Sequence, residues 1–170
     1  AAESIEVIDI AHDQEYESLH VEQLKEHTRA YIKVQDGCNQ FCSYCIIPYA
    51  RGRVRSRKME EVLEEITNLT KHGCQGFVIT GIHVTSYGKD LGDVTLIDLL
   101  EAIAKIPEVK RIRLGSLEPG FITKDTLDRL SKMESFCPHF HLSLQSGCDS
   151  VLKRMNRKYT TQDIREKCKA

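Results

Sequence analysis

The sequence predicts an α/β fold, a (β/α) barrel or an open doubly wound sheet, from three observations. Apolar strand-like runs alternate with helical stretches four times over. The runs are nearly continuous in apolar and β-branched residues, as parallel strands buried on both faces require. Each run is followed by an unusual polar loop, which is where such folds carry their chemistry.

Each element has its own signal. Residues 1–28 are polar and irregular apart from IEVIDI, and read as a linker or the tail of an upstream domain. From residue 29 onward the pattern becomes regular. YIKVQ at 31–35 reads as a buried strand, and MEEVLEEITNLTKHG at 59–73 places Val62, Ile66 and Leu69 on one helical face before Gly73 ends it. GFVITGI at 76–82 is a β-branched strand leading to the helix TLIDLLEAIAKI at 95–106. RIRLGSL at 111–117 leads through EPG to a helix at 123–133, with Thr123 as its N-cap. HFHLSLQ at 139–145 leads to DSVLKRMN and a last helical start, TQDIREKCKA. Right-handed crossovers then give a parallel sheet of about four βα units over residues 29–170.

The loops decide between the alternatives. An open sheet gathers its chemistry at one switch point, whereas a barrel spreads it over the carboxyl ends of several strands. Here a cysteine loop, GIHVTSYG, SLEPG and QSGCDS follow the successive strands, which favours a partial (β/α) barrel. Four units do not close a barrel, so the fourth strand is expected to keep an unpaired edge.

Composition excludes several classes. The 170 residues are 41% apolar and 29% charged, ordinary for a globular domain. No run of eighteen apolar residues occurs and the N-terminus lacks a signal-peptide pattern, so no membrane is expected and a cytoplasmic location is. Seven cysteines, an odd number, point to reduced thiols and metal ligation rather than a disulfide framework. The net charge of −1 confines any polyanion contact to a local patch, and the candidate is RGRVRSRK at 51–58.

The stretch GCNQFCSYC puts Cys38, Cys42 and Cys45 in a C-x3-C-x2-C spacing on one loop. A structural zinc site uses four ligands, and Cys74, Cys137, Cys148 and Cys168 are too scattered to complete a regular set, although a lone zinc stays the alternative. Three thiolates on a 4Fe-4S cluster leave one iron open to an exchangeable ligand. Such an iron can hold the amino and carboxylate groups of S-adenosyl-L-methionine, and Tyr44 would then lie against the adenine.

With these residues in view, the chain resembles the radical S-adenosylmethionine methylthiotransferases. The resemblance covers residues from about 29 onward through GCNQFCSYCIIPYARGRVRSR, ITGIHVTSYG, RIRLGSLEP and HLSLQSGCDSVLKRMNRKYT, in the family's order. Two branches, acting on isopentenyl-adenosine in tRNA and on a ribosomal protein, usually carry Gly-Gln-Asn after the second strand. Here Gly81-Ile82-His83-Val84 stands there, similar to the MtaB-like branch, which methylthiolates threonylcarbamoyladenosine beside the tRNA anticodon. A non-catalytic module binding metal and nucleic acid is the competing reading.

The resemblance implies roles for named residues. Cys38, Cys42 and Cys45 would ligate the 4Fe-4S cluster. Tyr44, Gly81, Glu118, Gln145, Ser146 and Arg154, with Arg157 beside it, would contact the cofactor. His83 would meet cofactor or substrate, and Arg51, Arg53, Arg55 and Arg57, alternating along an extended chain, would face tRNA phosphates from one side. The implied partners are tRNA and an electron donor such as flavodoxin or ferredoxin. The family pattern also implies an N-terminal domain with a second 4Fe-4S cluster, two further barrel strands and an RNA-binding β-barrel, so this chain alone is expected to hold one cluster and not to turn over.

Overall fold

The computed structural model describes residues 9–13, 15–17 and 29–169; most of the segment read as a linker lies outside the described residues. Where that segment is described it packs on the domain, Tyr16 Oη donating to the Lys33 carbonyl at 2.8 Å.

Strand β1 (Arg29–Asp36) runs parallel to β3 (Gly76–Gly81), and β3 runs parallel to β4 (Arg111–Leu114). After the single-turn helix α1 (Ile47–Ala50), helices α2 (Met59–Lys71) and α3 (Leu96–Ala104) supply the crossovers, and α4 (Lys124–Leu130) follows β5 (Ser116–Leu117). Helix α2 packs beside α3, and α3 beside α4. The strand order β1-β3-β4 follows the chain, and the helices form one consecutive row, which is the layering of a barrel rather than of a doubly wound sheet. The core lies between row and sheet: Val62, Ile66 and Leu69 of α2 and Leu99, Leu100 and Ile103 of α3 are buried with Ile32, Val34, Phe77, Ile79 and Ile112.

Three details depart from the sequence reading. The run 111–117 is two strands, because the chain bends at Gly115. The Gly115 amide donates to the Ile79 carbonyl at 2.9 Å, and a Cβ there would lie 3.1 Å from Thr80 Oγ1. Past that bend β5 leaves β3 and pairs in parallel with β6 (His141–Leu142), which is how the sheet begins to curl. The run 139–145 keeps only two residues of ladder. β5 is its partner, and beyond Leu142 the backbone turns back on itself: Leu144 N–H bonds the Leu142 carbonyl, Ser146 N–H bonds the Leu144 carbonyl, and Gln145 has φ +64°. The third departure is β2 (Arg55–Ser56), an antiparallel edge strand on β1 that falls inside the arginine stretch.

Helix boundaries follow local chemistry. Thr95 with Asp98, Thr123 with Thr126 and Thr160 with Asp163 form reciprocal caps at α3, α4 and α6 (Thr161–Lys167). Among the described residues no helix is long and apolar enough to cross a membrane.

Candidate metal and cofactor site

β1 delivers the chain to Gly37, where φ is +67° and a Cβ would come within 1.7 Å of the Arg53 carbonyl oxygen. Only glycine fits there. The loop that follows is closed at its neck. Cys38 N–H donates to the Gly52 carbonyl at 3.1 Å, and Asp36 accepts from Gly37 N–H at 2.7 Å, from Lys33 Nζ at 2.6 Å and from Arg51 on the far side of the loop. Burial alone would raise the Asp36 carboxyl; hydrogen bonds from Arg51 and Lys33 outweigh it and hold the group down at about 2.

A second tie joins the ends of β1 and β3. Gln35 is fully buried. Its Nε2 donates to the Asp36 and Gly37 carbonyls at 2.5 and 2.7 Å, while its Oε1 accepts from His83 N–H at 2.7 Å. A Cβ on Gly81 would lie 2.9 Å from both Gln35 oxygens, so Gly81 acts by making room for this buried amide. The sequence reading gave Gln35 no place in the site; its signal was an amide side chain at the end of the strand that feeds the cysteine loop.

The loop is also held from below. Helix α5 (Asp149–Arg154) ends beneath it, where Ser43 N–H donates to the Met155 carbonyl at 3.2 Å and Asn156 Nδ2 to the Phe41 carbonyl at 2.9 Å. Inside, a cavity of about 170 Å³ is lined by Cys38, Cys42 and Cys45 together with Tyr44, His83, Glu118, Gln145 and Arg157. The three thiols are free. Among the described residues no three His, Cys, Asp or Glu side chains are placed to chelate a single metal ion. Three cysteines on one cavity, at C-x3-C-x2-C spacing on a single loop, fit a polynuclear iron-sulfur centre better than a paired-ligand structural zinc site. Burial pushes the Cys38 thiol up against the opposing hydrogen bond from Gln40 N–H.

The opposite wall carries the charge. Glu118 lies 2.6 Å from Arg157 Nη2, 2.9 Å from His83 Nε2 and 3.1 Å from Gln40 Nε2. Burial would raise its carboxyl, but the hydrogen bond and charge of His83 and the charge of Arg157 bring it below its ordinary value. Arg157 also donates to Cys42 Sγ at 3.1 Å and to Tyr159 Oη at 3.0 Å. One cavity thus holds three thiols, a carboxylate and a guanidinium.

Several expected site residues are placed elsewhere. Arg154 is exposed at the end of α5 and offers the loop only its carbonyl, to Ser43 Oγ at 2.9 Å; the arginine of the cavity is Arg157, three residues further on. Ser146 is not part of the lining; its Oγ accepts from Cys148 N–H at 3.1 Å. The arginine row facing one side does not form. Arg57 is 2% exposed and paired with Glu65, and Arg55 is 7% exposed beside Asp13 at 3.3 Å. Arg51 is tied to Asp36, and Arg53 alone of the four lies over an aromatic ring. The reason is the unforeseen β2 pairing, which turns Arg55 and Arg57 inward, Arg57 onto Glu65 and Arg55 beside Asp13, with Arg55 Nε and Nη1 left without a hydrogen bond among the described residues.

The chain is a curled row of parallel strands with a three-cysteine loop at the carboxyl end of β1. The chain matches the Radical SAM superfamily over residues 32–170 and belongs to it. It is 44% identical over 154 residues to a threonylcarbamoyladenosine tRNA methylthiotransferase MtaB of Chlamydia pneumoniae, covering 91% of this chain and 36% of that protein. It is 43% identical over 140 residues to a tRNA-2-methylthio-N(6)-dimethylallyladenosine synthase of Acetivibrio thermocellus, covering 82% and 29%. The chain therefore spans about a third of the length of the curated relatives it matches. Among solved structures, the fold is similar to the radical S-adenosylmethionine methyltransferase TsrM of Kitasatospora setae, with a TM-score of 0.63 at 20% identity over 82% of this chain and 28% of that one. The cobalamin-dependent radical enzyme OxsB gives 0.58 at 15% identity over 79% and 21%.

Proposed function

We propose that residues 29–170 are the first part of the radical barrel of a tRNA methylthiotransferase, using a 4Fe-4S cluster and S-adenosyl-L-methionine. The observation that carries this reading is the convergence of Cys38, Cys42 and Cys45 on one cavity whose far wall is Glu118 and Arg157. Cys38, Cys42 and Cys45 would hold that cluster, and it would supply the one-electron reduction that cleaves S-adenosyl-L-methionine. The chain's own residues hold and orient. The three cysteines would grip the cluster. With the amino and carboxylate groups held at the iron, Arg157 suits the outer carboxylate oxygen and Glu118 offers an acceptor to the cofactor's N–H or O–H donors. Tyr44, half exposed at the rim, offers a ring to the adenine, and Gln145 an amide to the ribose hydroxyls. Gln35, behind Gly81, keeps the two strand ends in register under the site.

The substrate we infer is threonylcarbamoyladenosine in tRNA, by way of His83-Val84 at the position after the second barrel strand. Relatives of both the threonylcarbamoyl and the dimethylallyl kind match at 43% identity, so this assignment rests on that loop and not on overall likeness. A cytoplasmic setting and a flavodoxin or ferredoxin as electron donor complete the reading. The test uses the full-length protein, reconstituted without oxygen and given reductant, S-adenosyl-L-methionine and tRNA bearing either modified adenosine. The expected result is 5′-deoxyadenosine together with a methylthio mass increment on threonylcarbamoyladenosine, both lost in Cys42→Ala. Cleavage that survives Cys42→Ala, or product on the dimethylallyl nucleoside alone, overturns the assignment.

A further inference from the structure

The cysteine loop has a second, outward face. Gln40 and Cys42 line the cavity, but Phe41 between them does not. Phe41 has φ +50°, a region that a bulky side chain rarely occupies, and Asn156 fixes its carbonyl there. Its ring meets Tyr49 edge to face, with centroids 5.6 Å apart and planes at 80°. The Arg53 guanidinium lies over the same ring at 4.6 Å. Tyr49 is 66% exposed, and Arg53 is exposed with no acidic partner among the described residues. The other three arginines of the stretch all have one. So a left-handed residue, held by a side chain from beyond α5, assembles two rings and an unneutralised cation on the back of the cluster loop.

The chemistry of that array selects its partner. An exposed ring next to a free guanidinium matches an unpaired nucleotide, which carries a flat π face and a phosphate together. Duplex RNA hides its base faces, so an exposed ring selects an unpaired base. We propose that Phe41, Tyr49 and Arg53 form a stacking platform for an unpaired nucleotide flanking the one that enters the cysteine cavity. This rests on the RNA reading above and adds the contact that holds the loop of that RNA over the site.

The experiment uses reconstituted full-length protein and an anticodon stem-loop carrying 2-aminopurine at positions on either side of the target adenosine. Wild type is expected to quench the probe and bind with a defined Kd. Tyr49→Ala should weaken binding about tenfold and abolish the quench, while Tyr49→Phe keeps both. Arg53→Gln should weaken binding and lower the slope of log Kd against log salt by about one. Iron content should match wild type in all three, which separates the platform from the cluster. Unchanged binding and quench in Tyr49→Ala overturn the platform and leave the RNA reading standing. A wild type that binds no RNA overturns both. Loss of flavodoxin binding in Tyr49→Ala with RNA binding intact assigns the surface to a protein and overturns the proposal.

Discussion

Arg157 stands between Glu118 and Cys42, with one guanidinium nitrogen 2.6 Å from the carboxylate and the other 3.1 Å from the sulfur. Both charged side chains are largely buried, so each is tolerated through the other. Arg157→Met leaves a carboxylate inside the cavity and is expected to cost about 3 kcal/mol. Glu118→Gln should cost a comparable amount, and the double variant clearly less than the sum. Urea unfolding of the four proteins of the cycle measures it. Strict additivity would mean that the pair is not coupled.

The neck of the cluster loop depends on one absent side chain. At Gly37 a methyl group would meet backbone, not a movable side chain, and would do so at positive φ. Gly37→Ala should therefore lower stability by about 2 kcal/mol or more and reduce iron uptake on reconstitution. Gly120, which has nothing within 4 Å of its would-be Cβ, is the control. Gly120→Ala should leave both the unfolding midpoint and iron content near wild type.

How far these features were legible in sequence follows from where their causes lie. The cysteines were readable because their chemistry depends on spacing along one loop, and α2, α3 and α4 because apolar periodicity and Thr caps are local. The bend at Gly115 and the shortness of β6 were not, because both depend on which strand is the neighbour. Gln35 was hidden for the same reason: an amide is recognisable as structural only when the carbonyls it must satisfy are known. Arg154 and Arg157 sit three residues apart near the end of α5, and sequence alone gave no reason to prefer the second. The difference is made by Glu118, distant in sequence and adjacent in space.

Arg57 is packed against Glu65 of α2, with Glu61 alongside at 3.7 Å. Arg57→Met strands acidic charge in the interior and should destabilise by about 3 kcal/mol, while the salt dependence of RNA binding by folded protein stays as in wild type. Thermal melts with salt titrations of RNA affinity distinguish this from a phosphate-contacting arginine, whose loss would alter the salt slope and spare the melt.

Helices α3 and α4 are joined by Arg129, whose Nη2 lies 2.6 Å from Asp98 and 2.7 Å from Glu101, with Nε 2.8 Å from Glu101. For Asp98, burial raises the carboxyl, but the bonds from Arg129 and Thr95 more than offset it and leave it below 3.8; for Glu101, the Arg129 bond is the leading cause of a value below 4.5. Since both folded values lie beneath the unfolded ones, the unfolded chain binds protons first as acid is added. The stabilisation is then complete above the unfolded values and drains away as pH falls through the folded ones. Partial exposure and salt screening limit it, so Arg129→Met should cost about 1 kcal/mol near neutrality. The gap to wild type should narrow from about pH 5 downward and close in strong acid, where both carboxyls are protonated in either state. It should also shrink in 1 M salt, where the Debye length is about 3 Å. Chemical unfolding midpoints across pH and salt check this, and a gap that persists unchanged in acid would assign the role of Arg129 to packing of its aliphatic stem instead of its charge.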